Sequence, residues 1–253
     1  MRPKSSDWYK TIWTLDIKQQ SWVEEAAAQV DFILRHTDLP ENARILDLAC
    51  GYGRHALLLA QKGFHVTGVD ITPAYVEDAR RAAKELGLSN AQFIQSDIRA
   101  LSFCEEFDLV LNLADGAVGY LENDAENEKI FDVIARALKP GGRHVMDIIN
   151  ADYADRHFPM KNWEAGENAL ALSEFDWDRE RRIMLFGGMD IPYGTPLPRV
   201  SITEGDPTRL YTQAEIRALW AARGMRLDTA CAGFSEAPAS PDAIQMLLFS
   251  TKL

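Results

Sequence analysis

Long apolar runs are missing from this chain of 253 residues. None approaches the ~20 residues a helix needs to cross a bilayer. The basic opening stretch from Met1 to Lys10 is followed by no apolar signal core, so no export signal is read and a cytoplasmic location is expected. Cysteine is scarce: Cys50, Cys104 and Cys231 are odd in number and far apart, which speaks against a disulfide framework and fits a reducing compartment. No Cys/His spacing resembles a zinc site, and no metal is expected. Positive charge is also short, with 27 Lys and Arg against 38 Asp and Glu, a net charge of −11. An acidic chain repels a phosphate backbone, so neither nucleic acid nor a membrane is an expected partner. The densest basic cluster, Arg179 with Arg181 and Arg182, reads as a solvated turn between two strands.

What is present is ordinary globular composition, 47% hydrophobic, on a length that suits one α/β domain with an insertion. Ser21-Trp22-Val23-Glu24 has the form of a capping box, and Val23, Ala26, Ala27, Val30, Ile33 and Leu34 repeat at helical spacing to about His36. From Ala43 strands and helices alternate. Strands are read at Arg44 to Ala49, Phe64 to Val69, Ala91 to Gln95, Phe107 to Leu113 and Arg143 to Ile149, the last after a turn at Lys139-Pro140-Gly141-Gly142. Helices are read at Arg54 to Lys62, from Thr72-Pro73 to Gly87, and at Ala125 to Leu138. Such alternation implies a doubly wound α/β fold, a parallel sheet with helices on both faces.

The pattern then changes. Ala169 to Asp176 and Arg182 to Ile191 read as strands, with a third short strand at Arg199 to Thr203 in a stretch rich in Pro and Gly. Thr212-Gln213-Ala214-Glu215 is a second capping box, and Met225 to Ala232 and Ala243 to Thr251 read as strands. The expected organisation is therefore an N-terminal helical segment over residues 1–42, a ligand-binding core over 43–150, an antiparallel β insertion over 151–207, and a C-terminal helix with the last two core strands over 208–253.

The chemistry concentrates where the first core strand ends, in Ile45-Leu46-Asp47-Leu48-Ala49-Cys50-Gly51-Tyr52-Gly53. Gly51 and Gly53 let the backbone turn sharply and approach a ligand. In open α/β sheets ligands bind at the carboxyl ends of the strands. Gly51, Gly53 and Ala56 also satisfy the dinucleotide pattern G-x-G-x-x-G/A, so a nicotinamide cofactor is a second reading. Asp47 helps to choose. An ion inside an apolar strand must have a partner, and a carboxylate there repels a pyrophosphate but welcomes a cation; the alternative is that it only ties down loop amides. Asp70 closes Val66-Thr67-Gly68-Val69-Asp70, where a carboxylate can accept from both ribose hydroxyls or merely start the turn before Thr72-Pro73. Ile71 either packs on an adenine face or belongs to the core. Asp97, in Gln95-Ser96-Asp97-Ile98, either accepts from an adenine amino group, with Ile98 beside the ring, or caps a helix.

Taken together with Phe107-Asp108-Leu109-Val110 and Leu138-Lys139-Pro140-Gly141-Gly142, these motifs resemble the class I S-adenosylmethionine-dependent methyltransferases, in order and spacing, from about Ala43 to Asn150. The resemblance implies a seven-stranded, mostly parallel Rossmann-like sheet whose last strand is antiparallel. It implies S-adenosylmethionine as cofactor and S-adenosylhomocysteine as product. The expected cofactor contacts are Asp47, Ala49, Gly51, Gly53, Asp70, Ile71, Asp97, Ile98, Leu113 and Tyr9. Tyr9, with Trp8 and Trp13, lies in the segment that folds over the cofactor in similar enzymes; a staple onto the Ser21 helix is the other reading.

Gly119-Tyr120-Leu121, the β insertion and Arg209-Leu210-Tyr211-Thr212 resemble small-molecule members, such as amino-sugar and glycine N-methyltransferase-like enzymes, although Asp115-Gly116-Ala117-Val118 departs from them. The expected activity is methyl transfer to a small acceptor, with an amine nitrogen as one candidate. Tyr120 and Asp115 are the candidate catalytic residues, each able to hold an ammonium or steer its lone pair. A turn Asp and a packed Tyr are the competing readings. Rival functions are an NAD-dependent oxidoreductase, a cofactor-binding protein without turnover, and an RNA or protein methyltransferase. Against the last stand the acidic charge and Asn112-Leu113-Ala114-Asp115 where a base-amino methyltransferase has Asn-Pro-Pro-Tyr. A monomer or homodimer is expected.

Overall fold

The structure, a computed structural model, describes residues 1–253, except for the side chains of Ser21 and Trp22. The Ser21 cap therefore lies outside the described residues. Its backbone belongs to a 3-10 turn, Ser21–Glu25, that leads into the first α-helix.

The chain opens with a two-residue strand, β1 (Arg2–Pro3), and short 3-10 turns, then forms α1 (Ala26–Thr37). There follow β2 (Arg44–Leu48), α2 (Arg54–Gln61), β3 (His65–Asp70), α3 (Pro73–Glu85), β4 (Ala91–Gln95) and, after a 3-10 turn, β5 (Phe107–Asn112). Next come α4 (Asp124–Ala137), β6 (Leu138–Ile149) and α5 (Ala151–His157). The insertion supplies β7 (Met160–Ala165), β8 (Ala169–Asp178), β9 (Ile183–Pro192) and β10 (Glu204–Arg209). The chain closes with α6 (Gln213–Ala221), β11 (Met225–Ala232) and β12 (Gln245–Lys252).

The main sheet has seven strands in the order β11-β12-β6-β5-β2-β3-β4, and β12 runs antiparallel to both of its neighbours while β6, β5, β2, β3 and β4 are mutually parallel. This is the Rossmann-like methyltransferase sheet, with its antiparallel closing strand at Gln245–Lys252. The order reverses between β2 and β5, which opens a crevice at the carboxyl ends of those strands.

Both faces are buried, as the period of two in each strand requires. Leu46, Leu48, Val110 and Met146 pack with Phe131, Ile134 and Trp220 on one face. Ile45, Leu109, Leu111 and Val145 pack with Val30, Ile33, Leu59 and Val76 on the other. The same alternation assigns Asp47 and Asp147 to this second face, the side covered by α1, α2 and α3.

Three details differ from the sequence expectations. The Lys139-Pro140-Gly141-Gly142 turn is absorbed into β6 as an irregularity: pairing jumps from Phe107↔Leu138 to Leu109↔Arg143, with Gly141 at φ +74°. The third insertion strand is not at Arg199 to Thr203 but at Glu204–Arg209, where Asp206 to Arg209 pair with β9. The insertion also carries β7, and its five-stranded sheet, ordered β1-β10-β9-β8-β7, recruits the chain's first residues. Propensity missed β10 because its sequence, Glu-Gly-Asp-Pro-Thr-Arg, is poor in strand formers. No helix among the described residues is long and apolar enough to cross a membrane.

Candidate active site

Between β2 and α2 the backbone takes left-handed values at Ala49 (φ +54°), Gly51 (+57°) and Gly53 (+81°), folding the chain back on itself within five residues. The two glycines serve different ends. A Cβ on Gly51 would meet only Tyr75 Cδ2, at 3.8 Å, so its backbone stays open to the cavity. A Cβ on Gly53 would fall 2.8 Å from Phe93 Cε1 and 3.2 Å from Ala79 Cβ. Gly53 is not part of the cavity wall, and its bare Cα serves helix packing rather than the ligand approach read from the sequence.

A cavity of about 770 Å3 opens above these strand ends. Its wall includes Asp47, Ala49 and Gly51 from the first loop, Asp70 and Ile71 after β3, Asp97 and Ile98 after β4, and Leu113, Asp115 and Tyr120 after β5. Tyr9, Trp13 and Ile17 of the N-terminal segment complete the wall. Apart from Gly53, every residue read from the sequence as a contact therefore meets in one space.

Asp70 starts the turn before Thr72 and also faces the cavity. Its Oδ2 accepts from Gly51 N–H and its Oδ1 from Thr72 N–H, each at 2.8 Å, while the carboxylate still borders the cavity. Burial raises its pKa against those hydrogen bonds. Asp97 is more committed: Arg99 Nη2 and Nε grip its carboxylate at 2.6 and 3.0 Å and the Arg99 N–H caps onto it at 2.9 Å, so the pair holds its pKa down.

Asp47 is almost fully buried, at 2% exposure, and its Oδ2 has no hydrogen-bond partner. Burial, with the Asp70 charge adding, lifts its pKa to about 7, opposed by Arg54 and the Ala56 N–H. A buried polar atom without a partner is costly, so Asp47 presents an unmet acceptor in the cavity wall.

The N-terminal aromatics do not staple onto α1. Trp8 and Trp13 pack on Tyr120, with ring centroids 4.9 and 6.2 Å away. Trp8 Nε1 donates to Pro207 O at 3.2 Å, and Tyr75 OH donates to Thr14 O at 2.9 Å, holding the segment down at both sides. Tyr9 OH donates to Glu122 Oε1 at 3.0 Å and accepts from Arg99 Nη2 at 3.3 Å. Its burial beside Glu122 raises the phenol pKa to about 12, so it stays protonated.

Tyr120 OH donates to Asp115 Oδ2 at 3.4 Å, and Asp115 Oδ1 accepts from Ile149 N–H at 3.1 Å. Asp115 itself is left-handed (φ +63°), a conformation that Asp tolerates. Burial lifts its carboxyl to about 6.

Sequence reading missed Asp147, Gln245, Gln29 and Phe234, all in the same wall. Asp147 carried a visible signal: it is the lone ion in Val145-Met146-Asp147-Ile148-Ile149, as Asp47 is in its own strand. Burial and the Asp115 charge bring its pKa to about 7. Gln29 comes from α1, and its Oε1 lies 2.8 Å from His55 Nε2 and accepts from Arg54 Nη1 at 3.1 Å, a contact between distant segments that no local pattern announces.

Known proteins resemble this chain in sequence and in fold. A methyltransferase-domain family model matches residues 39–188. A putative methyltransferase of Bacillus subtilis, YqeM, is 35% identical over 125 residues, 48% of this chain and 48% of that protein. The ubiquinone biosynthesis O-methyltransferase of Xylella fastidiosa is 33% identical over 128 residues, 50% of this chain and 49% of that protein. The chain thus spans about half the length of the curated relatives it matches. Among solved structures, the CcbJ methyltransferase of Streptomyces caelestis superposes with a TM-score of 0.73 at 19% identity, over 97% of this chain and 94% of that one. CalS10, an amino pentose methyltransferase from Micromonospora echinaspora, does so at 0.65 and 21%, over 92% of each chain. The chain belongs to the methyltransferase-domain family and has the fold of the class I S-adenosylmethionine-dependent enzymes.

Proposed function

We propose that the chain transfers a methyl group from S-adenosylmethionine to a small-molecule acceptor inside the cavity above β2, β3 and β5. The observation that carries this reading is Asp47, a buried carboxylate with a partnerless Oδ2 in the wall beside the open Gly51 backbone. A cationic amino-acid or sulfonium end satisfies it, whereas a dinucleotide pyrophosphate beside the same loop is repelled.

The residues present fit this cofactor. Asp70 can accept from the ribose hydroxyls with the lone pairs left free by Gly51 and Thr72. Ile71, Ile98 and Leu113 offer apolar surface for the adenine, and Ala49, Gly51 and Asp47 border the methionine end. Tyr9 and Trp13, in the same wall, would shield the bound cofactor from water. When bound, S-adenosylmethionine supplies an electrophilic methyl on a positively charged sulfur. The protein's part is to align acceptor and donor, an effect worth roughly 7–11 kcal/mol when geometry is well held. Tyr120 and Asp115, on the acceptor side, orient the incoming nucleophile and hold its proton.

A small acceptor is supported by the cavity volume, about 770 Å3, within the range of about 300–1,000 Å3 common to small-molecule sites. The net charge of −11 speaks against nucleic acid. A cytoplasmic location is supported by three unpaired cysteines.

Calorimetric titration with S-adenosylhomocysteine and with NADH tests the reading. Binding of the first and not the second is expected; the reverse would replace the methyltransferase with an oxidoreductase.

A further inference from the structure

The cavity wall holds, besides Asp47, two more buried acceptor atoms without partners. Asp147 in β6 is 6% exposed, and its Oδ1 has no partner. Asp115, on the loop after β5, donates its backbone N–H to the Asp147 carbonyl at 2.9 Å, which fixes the two residues side by side. Tyr120 OH already donates to Asp115 Oδ2, and Arg54 lines the same cavity as the nearby cation that acts on Asp147. Gln245 Oε1, on β12 next to β6, is likewise buried without a partner. Trp13, Tyr120 and Phe234 supply ring surface around this acid pair.

Two carboxyls held together cannot both ionise cheaply without a cation between them. A neutral hydroxyl acceptor brings one donor hydrogen and no charge. A protonated amine brings two or three donors and a second positive charge beside that of Arg54, and aromatic walls favour it further.

We propose that the acceptor is a primary or secondary amine that enters as its ammonium ion and is held by Asp115 and Asp147. This rests on the methyltransferase reading. The ammonium gives one proton to the carboxyl pair, which frees the nitrogen lone pair. That lone pair forms the new N–C bond as the S–C bond breaks, its electrons remaining on sulfur. The product is an N-methylammonium ion, and the carboxyl pair then returns its proton to solvent. The groups facing the pair are suited to this: Arg54 lowers Asp147, Asp115 raises it, and both acids with Asp206 keep the Tyr120 phenol protonated.

The test is calorimetric titration of the S-adenosylhomocysteine-saturated protein at pH 7 with benzylamine and with benzyl alcohol, a neutral molecule of matching shape. Wild type should bind the amine at least tenfold more tightly than the alcohol. The preference should fall to near unity in Asp147→Asn and drop severalfold in Asp115→Asn, with S-adenosylhomocysteine affinity within threefold of wild type in both. Equal binding of the two probes, no binding of benzylamine, or a preference that survives both substitutions would overturn the proposal while leaving the cofactor reading intact. Failure of wild type to bind S-adenosylhomocysteine would remove the cofactor reading, and the amine proposal with it.

Discussion

The Gly51 backbone N–H donates to Asp70 Oδ2 at 2.8 Å, so the loop that ends β2 is tied to the tip of β3 by the same carboxylate that borders the cavity. Replacing it acts on both sides of that tie. Asp70→Ala should weaken S-adenosylhomocysteine binding by about 1–3 kcal/mol through lost charge-assisted hydrogen bonds and also lower the melting temperature. Calorimetry beside thermal unfolding checks this; an affinity equal to wild type would remove Asp70 from the site.

The two loop glycines should separate in their effects. Gly53→Ala introduces a Cβ 2.8 Å from the Phe93 ring at a left-handed φ and should cost about 1–3 kcal/mol of stability. Gly51→Ala meets no close neighbour, so its penalty is confined to backbone strain, and its larger effect should be on cofactor affinity. Urea unfolding and calorimetry on both variants distinguish the patterns, and equal loss of binding in the two would contradict the division.

The acid pair predicts a pH dependence that one substitution isolates. The folded-state pKa of Asp147 is raised to about 7 from 3.8, by burial first and by Asp115 second, with Arg54 and the Ala114 N–H opposing. Its stabilising contribution is therefore complete below pH 3.8 and lost as pH rises through 7. Asp147→Asn abolishes that loss. The buried His55 and His144, whose pKa values are lowered and whose trend runs the opposite way, cancel in the difference. In the ligand-free protein the variant's advantage over wild type should grow by roughly 1–3 kcal/mol between pH 5 and pH 7 and level off above pH 7. Denaturant unfolding across this range reads it, and a difference that shrinks with pH would refute it.

The N-terminal segment should tighten when a ligand binds, because Tyr9, Trp13 and Ile17 line the cavity from a stretch whose only regular structure is short 3-10 turns. Amide exchange over residues 8–20 should slow severalfold when S-adenosylhomocysteine binds, and exchange in β2 and β5 should change little. Identical exchange with and without the ligand would contradict that tightening.

The α/β core was legible because its strands are apolar runs closed by Gly, Asp or Pro, and their ends were placed within a few residues. The side that carries the cavity followed from Asp47, Gly51 and Asp70 at those ends. The insertion was harder: β10 carries Gly and Pro, and its pairing with β9 and β1 depends on residues from opposite ends of the chain. The roles of Gly51 and Gly53 could not be separated without Phe93, forty residues away in the sequence. Asp147 was missed although its apolar setting repeats that of Asp47, because position beyond a glycine loop drew more weight than an isolated ion in a strand.

A crystal soaked with S-adenosylhomocysteine tests the central claim most directly. The account predicts the ribose on Asp70, the amino-acid end between Gly51 and Asp47, and the sulfur facing Tyr120 and Asp115. Ligand lodged elsewhere, or none retained at saturating concentration, would contradict it.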